Sequence, residues 1–164
     1  MTPKPILYLE ASFWRRLVDQ DDPDRRRATY AFLTRIARRC DLRISRMVVA
    51  ELTEVRDPEL RRRLRRKIEG ERVRPITVGI RVDRLVVDLL RAGVLGRGHL
   101  ADLYHVGYAV AGRCDYLVTW DADDLARPWT QRKVEEFCRG AGLKVVRIGT
   151  PVEVGERWLG VRIL

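Results

Sequence analysis

The chain has 164 residues, of which 46% are apolar, and it carries a formal net charge of +10. This length corresponds to one domain with a sizeable core, and the apolar fraction excludes a disordered polyelectrolyte. No apolar stretch approaches the length of a membrane span and no signal-peptide run follows the N-terminus, so a cytoplasmic protein without membrane contact is expected. The charge comes mainly from arginine and favours a polyanionic partner, although an arginine-rich surface of ion pairs explains it almost as well.

Strand and helix patterns alternate along the first 71 residues. Short apolar runs predict strands at 5–9 and 42–44. Apolar residues at a spacing of three or four predict helices at 13–18, at 24–39, from 47 onward and at 57–71. Ser12 and Ser45 stand where helix N-caps are expected. Tyr30 and Val49 are among the residues expected to face the core.

The rest of the chain is predicted to hold three strands and three helices. The strands are 73–78, 116–120 and 143–148, with the first at a sheet edge because Pro75 lacks a ladder donor. The helices are 80–92, a buried helix that begins at His99 or Leu100, and 131–139. Leu100 is expected to lie in the core. The last residues, 151–164, form a tail that either adds an edge strand or docks on a partner.

The element order β-α-α-β-α-α-β-α-α-β-α-β predicts an α/β fold. Its central sheet is expected to be mostly parallel, with about four to five strands and helices on both faces. Residues 1–150 are assigned to this domain and residues 151–164 to the tail. In such a sheet, groups at the carboxyl ends of the strands face the crevice where ligands bind.

Several carboxylates stand at strand ends and helix starts, where this fold brings residues together. They are Glu10, Glu51, Asp102 and Asp121, with Asp123 or Asp124 as a fifth. Oxygen-only ligands suit Mg²⁺ or Mn²⁺, and because no histidine or cysteine ligand set accompanies the acids, zinc is not expected. Such a site can activate a water, align it with a phosphorus and stabilise the leaving oxygen. Phosphodiester hydrolysis is the reaction that joins an acidic metal site to a basic surround.

Each acid alone also has a purely structural interpretation. Glu10 could pair with an arginine, and Glu51 could lie on the surface of its helix. Asp102 could interact with the helix dipole, and Asp121 could cap the turn after its strand. The combination of all four at such positions favours the metal site.

Three segments resemble a PIN domain of the VapC toxin type: YLEASFW, SRMVVAEL and ADLYHVGYAVAGRCDYLVTWDADDLARP. The resemblance extends to about Thr150 and implies a three-layer PIN-like fold. It implies that Glu10, Asp102 and Asp121 hold a divalent metal and that Glu51 completes the site or orients water. Ser12 matches the family's small hydroxyl residue beside the first acid.

The resemblance also implies a function. The expected protein is a divalent-metal-dependent endoribonuclease, the toxin of a type II toxin–antitoxin pair, with RNA as substrate, a cognate antitoxin as partner and a homodimeric state. The pair Glu10-Ala11 departs from the family's more common Asp-Thr. That departure motivates an alternative, a PIN-like RNA-binding or interaction module with weak or no catalysis. A metal phosphatase or DNase of similar geometry is a third possibility.

Three further features each have two interpretations. His105 lies one turn after Asp102 and is expected to support the site or the core rather than act as general base. Trp120 could stack on a base, although a packed core position is favoured. The block RRRLRRK at 61–67 is either a solvated helix face or a phosphate-binding ridge.

Overall fold

The protein is described by a computed structural model over residues 2–164. Its centre is one sheet of five strands in the order β3-β2-β1-β4-β5, and every strand pairing in it is parallel. The strands are β1 (Ile6–Leu9), β2 (Asp41–Ile44), β3 (Arg74–Pro75), β4 (Tyr116–Val118) and β5 (Arg147–Gly149). The parallel sheet expected from the sequence is confirmed, and β3 lies at its edge as Pro75 predicts.

Helices connect the strands in the predicted order. They are α1 (Ala11–Arg15), α2 (Pro23–Arg35), α3 (Arg46–Thr53), α4 (Pro58–Gly70), α5 (Gly79–Arg91), α6 (Leu100–Ala111) and α7 (Pro128–Gly140). Short 3₁₀ turns occupy Ala37–Arg39 and Arg97–His99. None of the helices in the described chain has the length and apolar character that crossing a membrane requires.

The core forms around β1, the middle strand. Leu7, Tyr8 and Leu9 are fully buried, because β1 pairs with β2 on one side and β4 on the other. Helices α5 and α6 pack closely at Gly107, where an added Cβ would lie 3.2 Å from the Val86 side chain. This close packing holds α6, whose first turn carries Asp102, against α5.

Three residues expected in the core are exposed. Tyr30 is 40%, Val49 49% and Leu100 50% exposed. Val48 and Leu52 form the buried side of α3, and Val49 lies about 100° around the helix from Val48. Leu100 is the first residue of α6, before the helix enters the core. An apolar residue next to a buried stripe therefore does not belong to it.

The tail packs back on the domain and does not add a strand. Glu153–Trp158 forms a π-helical turn. The Trp158 ring stacks on Tyr116 at 5.6 Å between centroids, and Ile163 is 3% exposed. Of the two alternatives for the tail, the edge strand does not form, because the chain turns and packs Trp158 against Tyr116 of β4; docking on a partner stays a prediction.

Candidate active site

The sequence-predicted acids come from elements that meet at the carboxyl end of the sheet. Glu10 follows β1 directly, and Asp121 stands three residues after β4. Glu51 lies on α3, the helix that follows β2, and Asp102 lies in the first turn of α6. Central strands β1 and β4 are neighbours, so their ends place Glu10 beside the segment that leads to Asp121.

Glu10 is fixed by three hydrogen bonds to one of its oxygens. It is 7% exposed, and its Oε2 accepts from the Ser12 amide (3.1 Å), the Ser12 hydroxyl (2.5 Å) and the Thr119 hydroxyl (2.8 Å). Glu10 is therefore the N-cap of α1, and the expectation that Ser12 has this role is wrong. Oε1 lies 3.8 Å from His105 Nε2 and accepts no hydrogen bond from the described residues. Oε2 is therefore fixed by hydrogen bonds, whereas Oε1 is available to bind a ligand.

The two hydroxyls also tie β1 to the chain after β4. The Trp120 amide donates to Ser12 Oγ (2.8 Å), and the Asp121 amide donates to Thr119 Oγ1 (3.0 Å). Each hydroxyl thus donates to Glu10 and accepts from the backbone that carries Asp121. Thr119 was not among the sequence candidates, because a threonine at a strand end has no distinguishing spacing.

Glu51 is oriented by a buried chain of hydrogen bonds. His105 is 1% exposed, and its Nε2 lies 2.8 Å from Glu51 Oε1 while its Nδ1 lies 2.7 Å from the Tyr8 hydroxyl. The Tyr8 hydroxyl in turn lies 2.7 Å from Ser45 Oγ, and burial raises the pKa of Tyr8 well above its ordinary value. His105 thus joins the Glu51 carboxylate to the Tyr8 and Ser45 hydroxyls. Both of its ring nitrogens are engaged.

A second group of side chains surrounds Asp102. His99 Nδ1 lies 3.4 Å from Asp102 Oδ2 and 3.7 Å from Asp124 Oδ2. Burial raises the pKa of Asp102 and the charge of Asp121 raises it further, while a hydrogen bond with His99 opposes both effects. The charge of Asp121 is therefore close enough to disfavour ionisation of Asp102.

The acids form two adjoining groups, each with a histidine. In each group the candidate ligand atoms lie within 4.8 Å of one another. The groups are Glu10 with Glu51 and His105, and Asp102 with His99 and Asp124. Each group thus contains one histidine beside two carboxylates, and neither is a set of histidine and cysteine ligands of the kind that zinc sites use. His99 lies in a turn, so the periodicity of apolar residues does not identify it as a site residue.

Asp121 and its neighbours occupy a tight turn. Asp121 Oδ1 accepts from the Asp124 amide at 3.0 Å, which is the turn-capping role considered from the sequence. Asp121 belongs to neither group of close ligand atoms, although its charge acts on Asp102. Asp123 is exposed and Asp124 is half-buried beside His99. Of the two candidates for a fifth acid, Asp124 is the one brought to Asp102.

The acids of this crevice are Glu10, Glu51, Asp102, Asp121 and Asp124. Between residues 2 and 164, no lysine or arginine nitrogen lies within 4.0 Å of their carboxylate oxygens, and the basic side chains within that distance are His99 and His105. Pairing of Glu10 with an arginine, one structural interpretation of that residue, is thus wrong. In a chain with a net charge of +10, these carboxylates thus lack a lysine or arginine partner, although the Arg15 guanidinium donates to the backbone carbonyl oxygen of Glu51 at 3.2 Å.

Comparison by sequence finds no matching family model and no similar curated protein. By structure, the chain is similar to a chain in the crystal structure of VapBC2 from Rickettsia felis bound to a DNA fragment from their promoter. The TM-score is 0.56 at 17% sequence identity, over 87% of this chain and 98% of that one. The protein therefore has the three-layer PIN-like α/β fold that the sequence predicts.

Proposed function

We propose that this protein is a divalent-metal-dependent endoribonuclease that hydrolyses RNA phosphodiester bonds. The observation that carries the proposal is the convergence of acids at the carboxyl end of the sheet without a lysine or arginine partner. Carboxylates held together repel one another unless a cation lies between them. A metal ion that also binds a phosphate provides such a cation.

The donor chemistry of the crevice fits Mg²⁺ or Mn²⁺. Glu10, Asp102 and Asp121 would hold the ion, with Asp124 as a further oxygen donor and Glu51 completing the site or orienting water. The available Oε1 of Glu10, opposite the anchored Oε2, is the kind of acceptor that such ions bind. When bound, the ion supplies Lewis-acid activation of water and stabilises charge at the phosphorus.

The surrounding residues of the proposed site keep the ligands oriented. Ser12 and Thr119 hold Glu10, and His105 holds Glu51. Partners of this kind fix the orientation of ligating carboxylates, and their loss costs affinity and activity. His105 is thus proposed as a positioning residue, because both of its ring nitrogens are engaged.

The block at 61–67 contributes less to RNA binding than its charge suggests. Arg62 and Arg65 pair with acids on the same helix, as does Lys67. Arg61 donates to the Val55 carbonyl oxygen at 2.6 Å. These internal contacts favour the interpretation of this block as a solvated helix face. RNA contacts are expected nearer to the crevice.

An antitoxin partner and a homodimer complete the proposal. The structural similarity to a chain of a VapBC2 crystal structure supports the former. A groove of about 640 Å³ between α3 and α4 has a mainly apolar lining, which suits an apolar segment of a partner. Ile80 and Val87 lie two turns apart on α5 and are exposed, which supports contact with a second copy.

The proposed location is the cytoplasm. The three free cysteines, Cys40, Cys114 and Cys138, are compatible with its reducing conditions.

The test compares the purified protein with an Asp102→Asn variant on single-stranded RNA and DNA, with Mn²⁺ or with a chelator. We expect Mn²⁺-dependent cleavage of RNA by the wild type and none by the variant. Equal behaviour of the two proteins would refute the nuclease. Retention of RNA without cleavage would instead support the RNA-binding module, in which Glu10 serves only as the N-cap of α1. Cleavage of DNA alone would indicate a DNase.

A further inference from the structure

Trp129 is an exposed aromatic side chain flanked by cations. It is 50% exposed and is the second residue of α7. Lys133 Nζ lies 4.9 Å and the Arg132 guanidinium 6.0 Å from the centre of its ring. Lys133 also pairs with Glu136 at 3.6 Å, whereas Arg132 has no acid within 4.0 Å among the described residues. A half-exposed indole gains little for the stability of the core, whereas an aromatic face beside positive charges is typical of surfaces that bind single-stranded nucleic acid.

The backbone around Trp129 is tied to the loop that carries the acids. The Thr130 hydroxyl donates to the Asp124 carbonyl oxygen at 2.6 Å, and the Ala126 amide donates to the Asp121 carbonyl oxygen at 2.8 Å. The Gln131 amide group donates to the Ala126 carbonyl oxygen at 2.7 Å. Since β4 and β5 are parallel, α7 begins at the carboxyl end of the sheet. Trp129 therefore lies at the same end of the sheet as the crevice and is anchored to its acidic loop.

Trp120, the aromatic residue noted in the sequence, is less suitable for stacking. Its indole nitrogen donates to the Thr29 hydroxyl at 2.9 Å, and the Arg25 guanidinium lies 5.4 Å from its ring centre. Trp120 is also less exposed than Trp129. Its polar edge is thus engaged within the protein, which leaves Trp129 as the more exposed aromatic side chain at this end of the sheet.

We propose that Trp129, with Lys133 and Arg132, forms a subsite where a base of single-stranded RNA stacks next to the cleavage site. The base would lie on the exposed part of the indole, and the cations would meet the flanking phosphates. Stacking is tolerant of base identity, because every base offers an aromatic face. This inference rests on the proposed function and specifies how the substrate is held.

Binding in the presence of a chelator tests the subsite separately from cleavage. Fluorescence anisotropy of a labelled short oligouridine gives the Kd for wild type, Trp129→Ala and Trp129→Phe. Loss of one stacked base is expected to weaken binding by roughly fivefold or more in Trp129→Ala, while Trp129→Phe keeps an aromatic face and stays near wild type. Because the side chain is exposed, both variants should unfold at the wild-type temperature, which thermal denaturation verifies.

Tyr30→Ala is the matched control. Tyr30 is also an exposed aromatic with a cation over its ring, Lys67 at 5.5 Å, but it lies on α2 and pairs with α4. Its removal should leave the Kd unchanged. A similar loss of affinity in Tyr30→Ala, or wild-type affinity in Trp129→Ala, would overturn the subsite.

The possible outcomes separate the subsite from the nuclease. Cleavage by the wild type together with unchanged binding by Trp129→Ala refutes the subsite alone. Trp129-dependent binding without any cleavage supports the subsite and refutes the nuclease. Absence of RNA binding by the wild type refutes both. If Trp129→Ala changes the sedimentation of the protein but not its affinity for RNA, the residue belongs to a protein interface and the subsite is wrong.

Discussion

The carboxylates at the two ends of the parallel sheet have opposite electrostatic surroundings. At the amino end, Asp41 pairs with Arg43 at 2.9 Å and with Arg74. Asp115 accepts from the Ile6 amide at 2.7 Å and pairs with Lys144 at 3.0 Å. Burial would raise the pKa of Asp41, but the hydrogen bond from Arg74 and the charge of Arg43 outweigh it, and the pKa lies below its ordinary value.

At the carboxyl end, the acids converge without such partners. Asp102 faces the charges of Asp121 and Glu10, and burial together with these charges holds its pKa above the ordinary value. Buried like charges of this kind lower the stability of the folded protein. The amino end of the sheet, where arginine and lysine side chains pair with the acids, contributes to the stability of the fold. At the opposite end no lysine or arginine of the described residues pairs with the acids, and under the proposed function a cation from outside would take that place.

The largest expected difference between the two ends concerns metal and catalysis. Asp102→Asn should reduce Mn²⁺-dependent cleavage by at least about 10²-fold, since even partners of metal ligands contribute up to that factor. Mn²⁺ at a hundredfold excess over its Kd should stabilise the wild type by about 2.7 kcal/mol and this variant much less. Asp41→Asn, the matched change at the amino end, should retain both the rate and the stabilisation. Loss of both in Asp41→Asn would show that the two ends do not differ as proposed.

A smaller effect is expected from the residues that orient the ligands. Thr119→Val removes the hydroxyl that donates to Glu10 at 2.8 Å, so the cleavage rate should fall by about 10- to 100-fold. Thr29→Val removes another buried hydroxyl, which donates to the Arg25 carbonyl oxygen at 2.7 Å and accepts from the Trp120 indole at 2.9 Å, without contacting the acids. Both variants should lose about 1 kcal/mol of stability. Rate measurements at saturating Mn²⁺ check the difference, and equal rates would remove Thr119 from the site.

Stability should respond to the amino end instead. Asp41→Asn leaves Arg43 and Arg74 without a charged partner at a largely buried position. The cost should be about 1 kcal/mol, because Arg74 is well exposed and the pair is partly screened. Urea denaturation in the presence of a chelator measures it, and Asp102→Asn should be at least as stable as the wild type under the same conditions. A destabilised Asp102→Asn would contradict the uncompensated charge.

The order of the strands and helices could be predicted from the sequence, but the residues at which each of them begins and ends could not. The order of strands and helices follows from periodicity alone, because each apolar run meets the same sheet. The extents do not, since ladder pairing depends on the neighbouring strand. Of the predicted strand 116–120, only Tyr116–Val118 forms β4, because the chain then turns towards the acids. Of the predicted strand 73–78, only Arg74–Pro75 forms β3, because the edge position limits the hydrogen bonds.

The candidate site was predictable where residues follow strands, and less so elsewhere. Glu10 and Asp102 were identifiable because their elements end or begin at the carboxyl end of the sheet. His99 and Thr119 lie in segments without period, and only the three-dimensional structure brings them to the acids. The charge balance of the crevice was equally hidden. The sequence contains many arginines, and none of those described lies close enough to pair with the acids.

The smallest and most diagnostic difference is in the pH dependence of stability without metal. The pKa of Asp102 is raised on folding, so the native state binds more protons above about pH 3.9, the unfolded value. Asp102 therefore lowers the free energy of unfolding as pH rises through its folded pKa. Asp41 has a lowered pKa, so its contribution is present above the unfolded value and is lost as pH falls through the folded one. Relative to wild type, Asp102→Asn should gain stability with rising pH and Asp41→Asn should lose it. Urea denaturation from about pH 3 to 7 with a chelator gives both differences, and parallel curves would mean that the two ends carry the same charge balance.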